Sequence, residues 1–138
     1  MNFEYKVEGG DFTNAGSTSS IVKKMMKQLG VSPDIVKRTV VALYEAEVNI
    51  VAHANRGVIS VELDEDKVYI KLEDEGKGIP DIDQAMQKGY STASPEVREM
   101  GFGAGMGLPN IKSNTDELKI QSVVGKGTTV EITNYFNK

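Results

Sequence analysis

The chain has 138 residues, with 16 basic and 20 acidic side chains for a net charge of −4, no Cys, no Trp, one His and 14 Gly. That length suits a single domain able to bury roughly two thirds of its unfolded surface. Without Cys, and with His53 as the lone imidazole, disulfides, structural zinc, iron–sulfur clusters and thiol chemistry are excluded; a metal would be a hard ion on oxygen ligands, magnesium first, and the mild acidity argues against nucleic acid as a partner.

Phe3, Tyr5 and Val7 alternate with polar residues and predict a short strand that Gly9 and Gly10 end. A helix is expected after the Ser/Thr cluster at 17–20, with Ile21, Met25 and Leu29 on its apolar side and Gly30 as its stop. The second helix has the strongest start signal: Ser32 as N-cap, Pro33 at the first helical position and Asp34 in the first turn. It should run to about Ala54, with Val36, Val40, Leu43, Ile50 and Ala54 near one face. The stretch 40–54 is the richest in apolar residues, yet Glu45, Glu47 and Asn49 interrupt it, and residues 1–5 lack the basic start of an export signal. No membrane segment is expected, and the chain reads as cytoplasmic.

Val58 to Leu63 and Val68 to Leu72 predict a hairpin about the acidic turn 64–66, with Ile59, Val61, Leu63, Val68, Ile70 and Leu72 facing one layer. From Glu73 to Met106 no period is sustained beyond a short helical piece at 82–87; a Gly-, Ser- and Thr-rich loop this long is more than a passive connection and suits a lid or a disordered segment. A helix from Pro109 to Thr115 follows, then a second hairpin: Leu118 to Val124, a turn at 125–127, and Thr128 to Tyr135. The pattern favours a two-layer α/β sandwich, a mixed and mainly antiparallel sheet with helices on one face, in one domain spanning 1–138.

Three clusters carry chemistry. Glu45, Asn49 and His53 recur every four residues and form one stripe of the second helix, whereas Glu47 lies about 200° round the axis from Glu45. A carboxylate and an amide one turn apart on a rigid helix suit a hydroxyl to be oriented and a magnesium ion; a solvated stripe is the ordinary alternative. Asp74, Gly76, Gly78 and Ile79 form the second cluster, where the strand is expected to give way to glycines. A flat ligand can approach the backbone there, and Asp74 can accept from an exocyclic amine, although Asp/Gly turns are common. The third is Gly101, Gly103, Gly105, Met106, Gly107 and Leu108, directly before a helix: alternate glycines let backbone N–H groups point into one concavity suited to phosphates. It is neither a dinucleotide fingerprint nor a Walker loop, and the apolar residues Phe102, Met106 and Leu108 are unlike a linker. Seven of the fourteen glycines fall between Gly76 and Gly107, so the glycine excess is local.

In this order the clusters resemble the ATP site of the GHKL superfamily, which joins gyrase, Hsp90, the catalytic domains of histidine kinases and the MutL proteins. Glu45 to Asn49 resembles its N box, Asp74 to Gly78 its first glycine box, Gly101 to Leu108 its second, and Gly125 to Thr129 its threonine turn. Within it, the stretches Glu73 to Asp81, Gly89 to Thr92, Gly105 to Pro109 and Val124 to Val130 are most similar to the anti-sigma-factor serine/threonine kinases of the RsbT/RsbW type. The resemblance implies a Bergerat-type fold, ATP and Mg2+, and transfer of the γ-phosphate to a serine of a small partner, typically of STAS fold. It further implies Glu45 as the base, Asn49 as the metal ligand, Asp74 on the adenine amine with Gly76, Gly78 and Ile79 around the ring, and Thr128 or Thr129 supporting the base. Gly101, Gly103, Gly105, Met106, Gly107 and Leu108 would then form the phosphate lid. The segment Ala93 to Met100 makes that lid longer than the family's, and His53 is open between a phosphate or ribose contact and a structural role. A non-catalytic nucleotide-dependent module that holds a sigma factor is the alternative to a kinase; a carboxylate beside the metal ligand favours the enzyme. The ATPase half of a histidine kinase is disfavoured, because no helix carries a phosphoacceptor histidine. A homodimer is left open.

Overall fold

The computed structural model describes residues 1–79, 82, 86 and 107–136. In chain order these form β1 (Asn2–Glu8), a 3-10 turn (Phe12–Asn14), α1 (Ser17–Gln28), α2 (Pro33–His53), β2 (Ala54–Leu63), β3 (Lys67–Gly76), α3 (Gly107–Ser113), β4 (Glu117–Val123) and β5 (Gly127–Tyr135). The five strands lie in the order β1-β2-β3-β5-β4. All four pairings are antiparallel, so the sheet is antiparallel throughout the described residues rather than mixed.

Both hairpins form in the expected places, and the period-2 pattern explains the layers. Ile59, Val61, Leu63, Val68, Ile70 and Leu72 are buried under the helices. Tyr69, Lys71 and Glu73, the odd positions between them, point to the other face, beside Thr129 and Glu131 of β5. One apolar cluster joins this inner face to α1, α2 and α3 through Met26, Leu43, Ile50 and Ile111.

Several boundaries moved. The strand β3 continues to Gly76, so Asp74 lies inside its last turns of ladder, paired with Gly57, not beyond its end. No loop separates α2 from β2: the helix ends at His53, and Ala54 already pairs with Gly76. Ser32 and Pro33 do open α2, although the Ser32 side chain makes no capping hydrogen bond. Val36, Leu43 and Ile50 are buried as expected, Val40 is only partly so, and Ala54 belongs to β2.

The buried face of α1 is not the one its Ile21, Met25 and Leu29 spacing predicts. Val22 and Met26 are fully buried, while Ile21 and Leu29 are 40% and 51% exposed. The reason is electrostatic. The helix begins inside the Ser/Thr cluster, with Gly16 and not a side chain at its N-cap, and its orphan N–H groups find the carboxylate of Glu47 on α2. That anchor turns Thr18, Val22 and Met26 inward, and the four-residue stripe beginning at Ile21 is rotated away.

A second buried polar node ties the opposite end of the helical layer to the sheet. The Asn134 amide, wholly buried, donates to Thr39 Oγ1 (3.0 Å) and the Asn114 carbonyl (3.1 Å) and accepts from Asp116 N–H (2.8 Å). Asp116 also pairs with Arg38 at 3.3 Å. α2 is thus held at both ends, which keeps its polar stripe in a fixed orientation.

Candidate functional site

The stripe and Glu47 occupy opposite sides of α2, as the 200° separation requires. Glu47 is 2% exposed, and its two oxygens accept from the N–H groups of Gly16 (3.1 Å), Thr18 (3.2 Å) and Ser19 (3.1 Å) and from Ser19 Oγ (2.9 Å). Every lone pair it offers is used inside the protein. Glu45 differs: it is half-buried and accepts one long hydrogen bond, from Asn110 Nδ2 on α3 at 3.3 Å. Asn49, also half-buried, lies one turn on. The stripe thus starts beside α3, the helix that Gly107 opens and Leu108 anchors in the core, and ends at His53, next to the Ala54–Gly76 pair. His53 has a pKa below its ordinary 6.5, through desolvation first and then the positive charge of Lys77, although its surface is open to solvent.

The first glycine cluster and the threonine turn form one unit. Asp74 Oδ1 accepts from the N–H of Thr128 at 3.0 Å. The Gly76 N–H donates to the Lys126 carbonyl (3.2 Å), and the Gly125 N–H donates to the Lys77 carbonyl (2.8 Å). The contact leaves no room for side chains. A Cβ on Gly78, where φ is +77°, would sit 2.5 Å from the Val123 carbonyl oxygen, and one on Gly127, where φ is +151°, would sit 2.0 Å from that of Asp74. Gly78 is therefore required by the protein's own backbone, whatever it also allows a ligand. Asp74 stands half-buried beside the core, and that desolvation raises its pKa above 3.8, against a smaller lowering by the Thr128 N–H.

The two threonines separate. Thr128 shares the helix-facing side of the sheet with Asp74 and Val130, whereas Thr129 pairs with Glu73 and Gln121 and takes the opposite face. Gly101, Gly103, Gly105 and Met106, and the lid expected around them, lie outside the described residues.

Two residues here escaped the sequence reading. Asn110 left no signal. Ser122 did: on β4 the inward positions run Leu118, Ile120, Ser122, and a hydroxyl where the alternation calls for an apolar side chain marks a polar inner site. Its Oγ lies 2.6 Å from the Ile79 nitrogen, 3.1 Å from the Gly127 carbonyl oxygen and 2.9 Å from Thr128 Oγ1. A separate open hollow of about 450 Å³, lined in part by Asn14, Gly16, Lys23 and Tyr44, adjoins Val40 of α2 and contains none of the expected site residues.

A half-buried acid, an amide one turn away, and an aspartate fixed against a threonine turn share the inner side of one antiparallel sheet. Residues 11–134 match the family of histidine kinase-like ATPase domains. The chain belongs to that family. It is 35% identical over 113 residues to the serine/threonine-protein kinase RsbT of Bacillus subtilis, covering 79% of each chain. It is 32% identical over 130 residues to an anti-sigma F factor of Caldanaerobacter subterraneus subsp. tengcongensis, covering 91% of this chain and 87% of that one. Two solved structures share the fold. The RsbU and RsbW domains of a Mycobacterium tuberculosis protein match with a TM-score of 0.65 at 15% identity, over 97% of this chain and 32% of that one; a mycobacterial sensor histidine kinase, MprB, matches with a TM-score of 0.57 at 14% identity, over 98% of this chain and 97% of that one. An anti-sigma F factor and a serine/threonine-protein kinase are thus among the relatives of this domain, in line with the family resemblance. Among the described residues no helix is long and apolar enough to cross a membrane.

Proposed function

We propose that the chain is an ATP-dependent serine/threonine protein kinase of the anti-sigma regulatory type, one ATPase domain acting in the cytoplasm and passing the γ-phosphate to a serine of a STAS-type partner. The observation that carries this reading is the contrast within α2. Glu47 has all its bonding capacity consumed, while Glu45, two residues earlier, keeps an almost unengaged carboxylate one turn from Asn49.

Phosphoryl transfer asks a protein chiefly for positioning and charge stabilisation. Glu45 orients the attacking serine hydroxyl and accepts its proton. Asp74, with Oδ1 fixed by Thr128, presents Oδ2 to the adenine amine, and the backbone around Gly76, Gly78 and Ile79 borders the ring. Thr128 supports the base from the same face; the outward placement of Thr129 makes it the weaker choice. The backbone of Gly101, Gly103, Gly105 and Gly107, with Met106 and Leu108, would enclose the phosphates.

For magnesium the donor chemistry fits in one way only. Among the described residues no three His, Cys, Asp or Glu side chains converge, and the Asn49 amide oxygen would be the protein's ligand to the ion, beside nucleotide phosphates. When bound it neutralises phosphate charge.

The test is transfer from γ-labelled ATP to STAS-type proteins of the same genome, read beside ATP-induced thermal stabilisation. Glu45→Ala is expected to keep the thermal shift and lose transfer by at least about a hundredfold. Full transfer by that variant would end the general-base assignment. A second reading, a nucleotide-dependent module that sequesters a sigma factor, alone or as a homodimer, is favoured by the anti-sigma names of the relatives. It is supported instead if the wild-type chain retains a sigma factor and phosphorylates no STAS-type protein.

A further inference from the structure

The proposed adenine site has an inner wall whose hydrogen-bond polarity follows from counting protons at Ser122. A serine hydroxyl has one proton and two lone pairs. The Ile79 N–H can only donate, so it takes one lone pair at 2.6 Å. The Gly127 carbonyl can only accept, so it takes the one proton at 3.1 Å. For all three contacts to be hydrogen bonds, the one at 2.9 Å from Thr128 Oγ1 runs from Thr128 to Ser122. That uses the only proton of the Thr128 hydroxyl and leaves Thr128 with lone pairs alone to offer anything else. Asp74 beside it is likewise an acceptor: Oδ1 is held by the Thr128 N–H, and Oδ2 has no partner among the described residues.

We infer that Ser122 is a positioning residue that fixes this wall as acceptor-only and so makes the site select a purine edge bearing an exocyclic amine over one bearing a 6-oxo group. An exocyclic amine meets these acceptors with its protons. A 6-oxo group meets lone pairs with lone pairs, and buried polar groups left facing their own kind discriminate strongly. The proposal rests on the adenine assignment to Asp74 but adds a residue that touches no nucleotide and acts through Thr128. Without Ser122 the Thr128 hydroxyl is free to rotate and donate to a 6-oxo group.

The experiment compares ATP with inosine triphosphate, whose base differs in carrying a 6-oxo group and a protonated N1, by calorimetric titration of the full chain with magnesium. In Ser122→Ala the preference for ATP is expected to fall about tenfold, the effect of one reversed hydrogen bond. Ser122→Thr, which keeps the hydroxyl, should hold the preference within about twofold. If the alanine variant does not fold, Ser122→Cys, whose thiol is only a weak donor and a weak acceptor, should show the same fall. Added to Thr128→Val, Ser122→Ala should change the preference no further, because the hydroxyl it orients is gone. An unchanged preference in Ser122→Ala, or a fall that persists in the Thr128→Val background, overturns the inference and leaves the adenine assignment standing. A wild-type chain that binds neither nucleotide overturns both.

Discussion

Glu45 and Glu47 are the same residue type on the same helix, two positions apart, and the fold uses them in opposite ways. Glu47 serves as the N-terminal cap of a different helix, saturated by three backbone N–H groups and a hydroxyl. Glu45 has one 3.3 Å contact and faces the stripe. A buried acid that is fully bonded contributes structure, while one held loosely at a partly open site is available for chemistry. What separates them is 200° of helical rotation and the place where α1 begins.

That contrast can be broken or sharpened by substitution. The largest stability change is expected from Glu47→Ala, which leaves the Gly16, Thr18 and Ser19 donors unpaired in the interior: about 2–4 kcal/mol by urea denaturation. Nucleotide binding by the fraction that remains folded should be retained. A cost below about 0.5 kcal/mol would mean that α1 is not anchored by this carboxylate. Glu47→Gln keeps one carbonyl oxygen and replaces the other with a donor facing donors, so roughly half the alanine cost is expected.

Smaller effects belong to the site itself. The Asp74 carboxyl has its pKa raised in the folded chain, so the native state binds its proton more tightly than the unfolded state does. The stability contributed in this way is full below 3.8 and is lost as pH rises through the raised value. Asp74→Asn should flatten that slope in denaturation at stepped pH, keep an acceptor for the Thr128 N–H, and abolish the ATP-induced thermal shift. A persisting shift would remove the adenine assignment. The least stability change, within about 0.5 kcal/mol, is expected for Glu45→Ala, since it forfeits a single long hydrogen bond. If it instead proves as costly as Glu47→Ala, the two acids are not different in kind.

Much of this was legible before the structure. Period-2 alternation placed the hairpins because one face of each strand is buried, and Pro33 and Asp34 marked the start of α2 because the first helical turn favours a fixed φ and a negative charge, even though the Ser32 side chain makes no cap. The orientation of α1 was not legible: Ile21, Met25 and Leu29 recur at helical spacing as well as Val22 and Met26 do, and the choice was made by Glu47, a partner 28 to 31 residues away. Ser122 was legible in principle as a polar break in the inward row of β4, and Asn134 is the same kind of break in the inward row of β5 after Val130 and Ile132. The pairing of Asp74 with Thr128 spans 54 residues, and only the register of β3 against β5 brings them together.

The direct passage from His53 to Ala54 has one more consequence. With no connecting residues, the last turn of α2 and the first rung of β2 cannot slip relative to one another. A residue inserted there and not absorbed at the bulge that already sets Asn55 between the Ala54–Gly76 and Arg56–Glu75 pairs would either rotate His53, Asn49 and Glu45 by about 100° relative to the strand or turn Ile59, Val61 and Leu63 out into water. Length changes in descendants of this sequence should therefore be absent at this junction, and the reading frame between stripe and strand should outlast the identities of the residues that compose it.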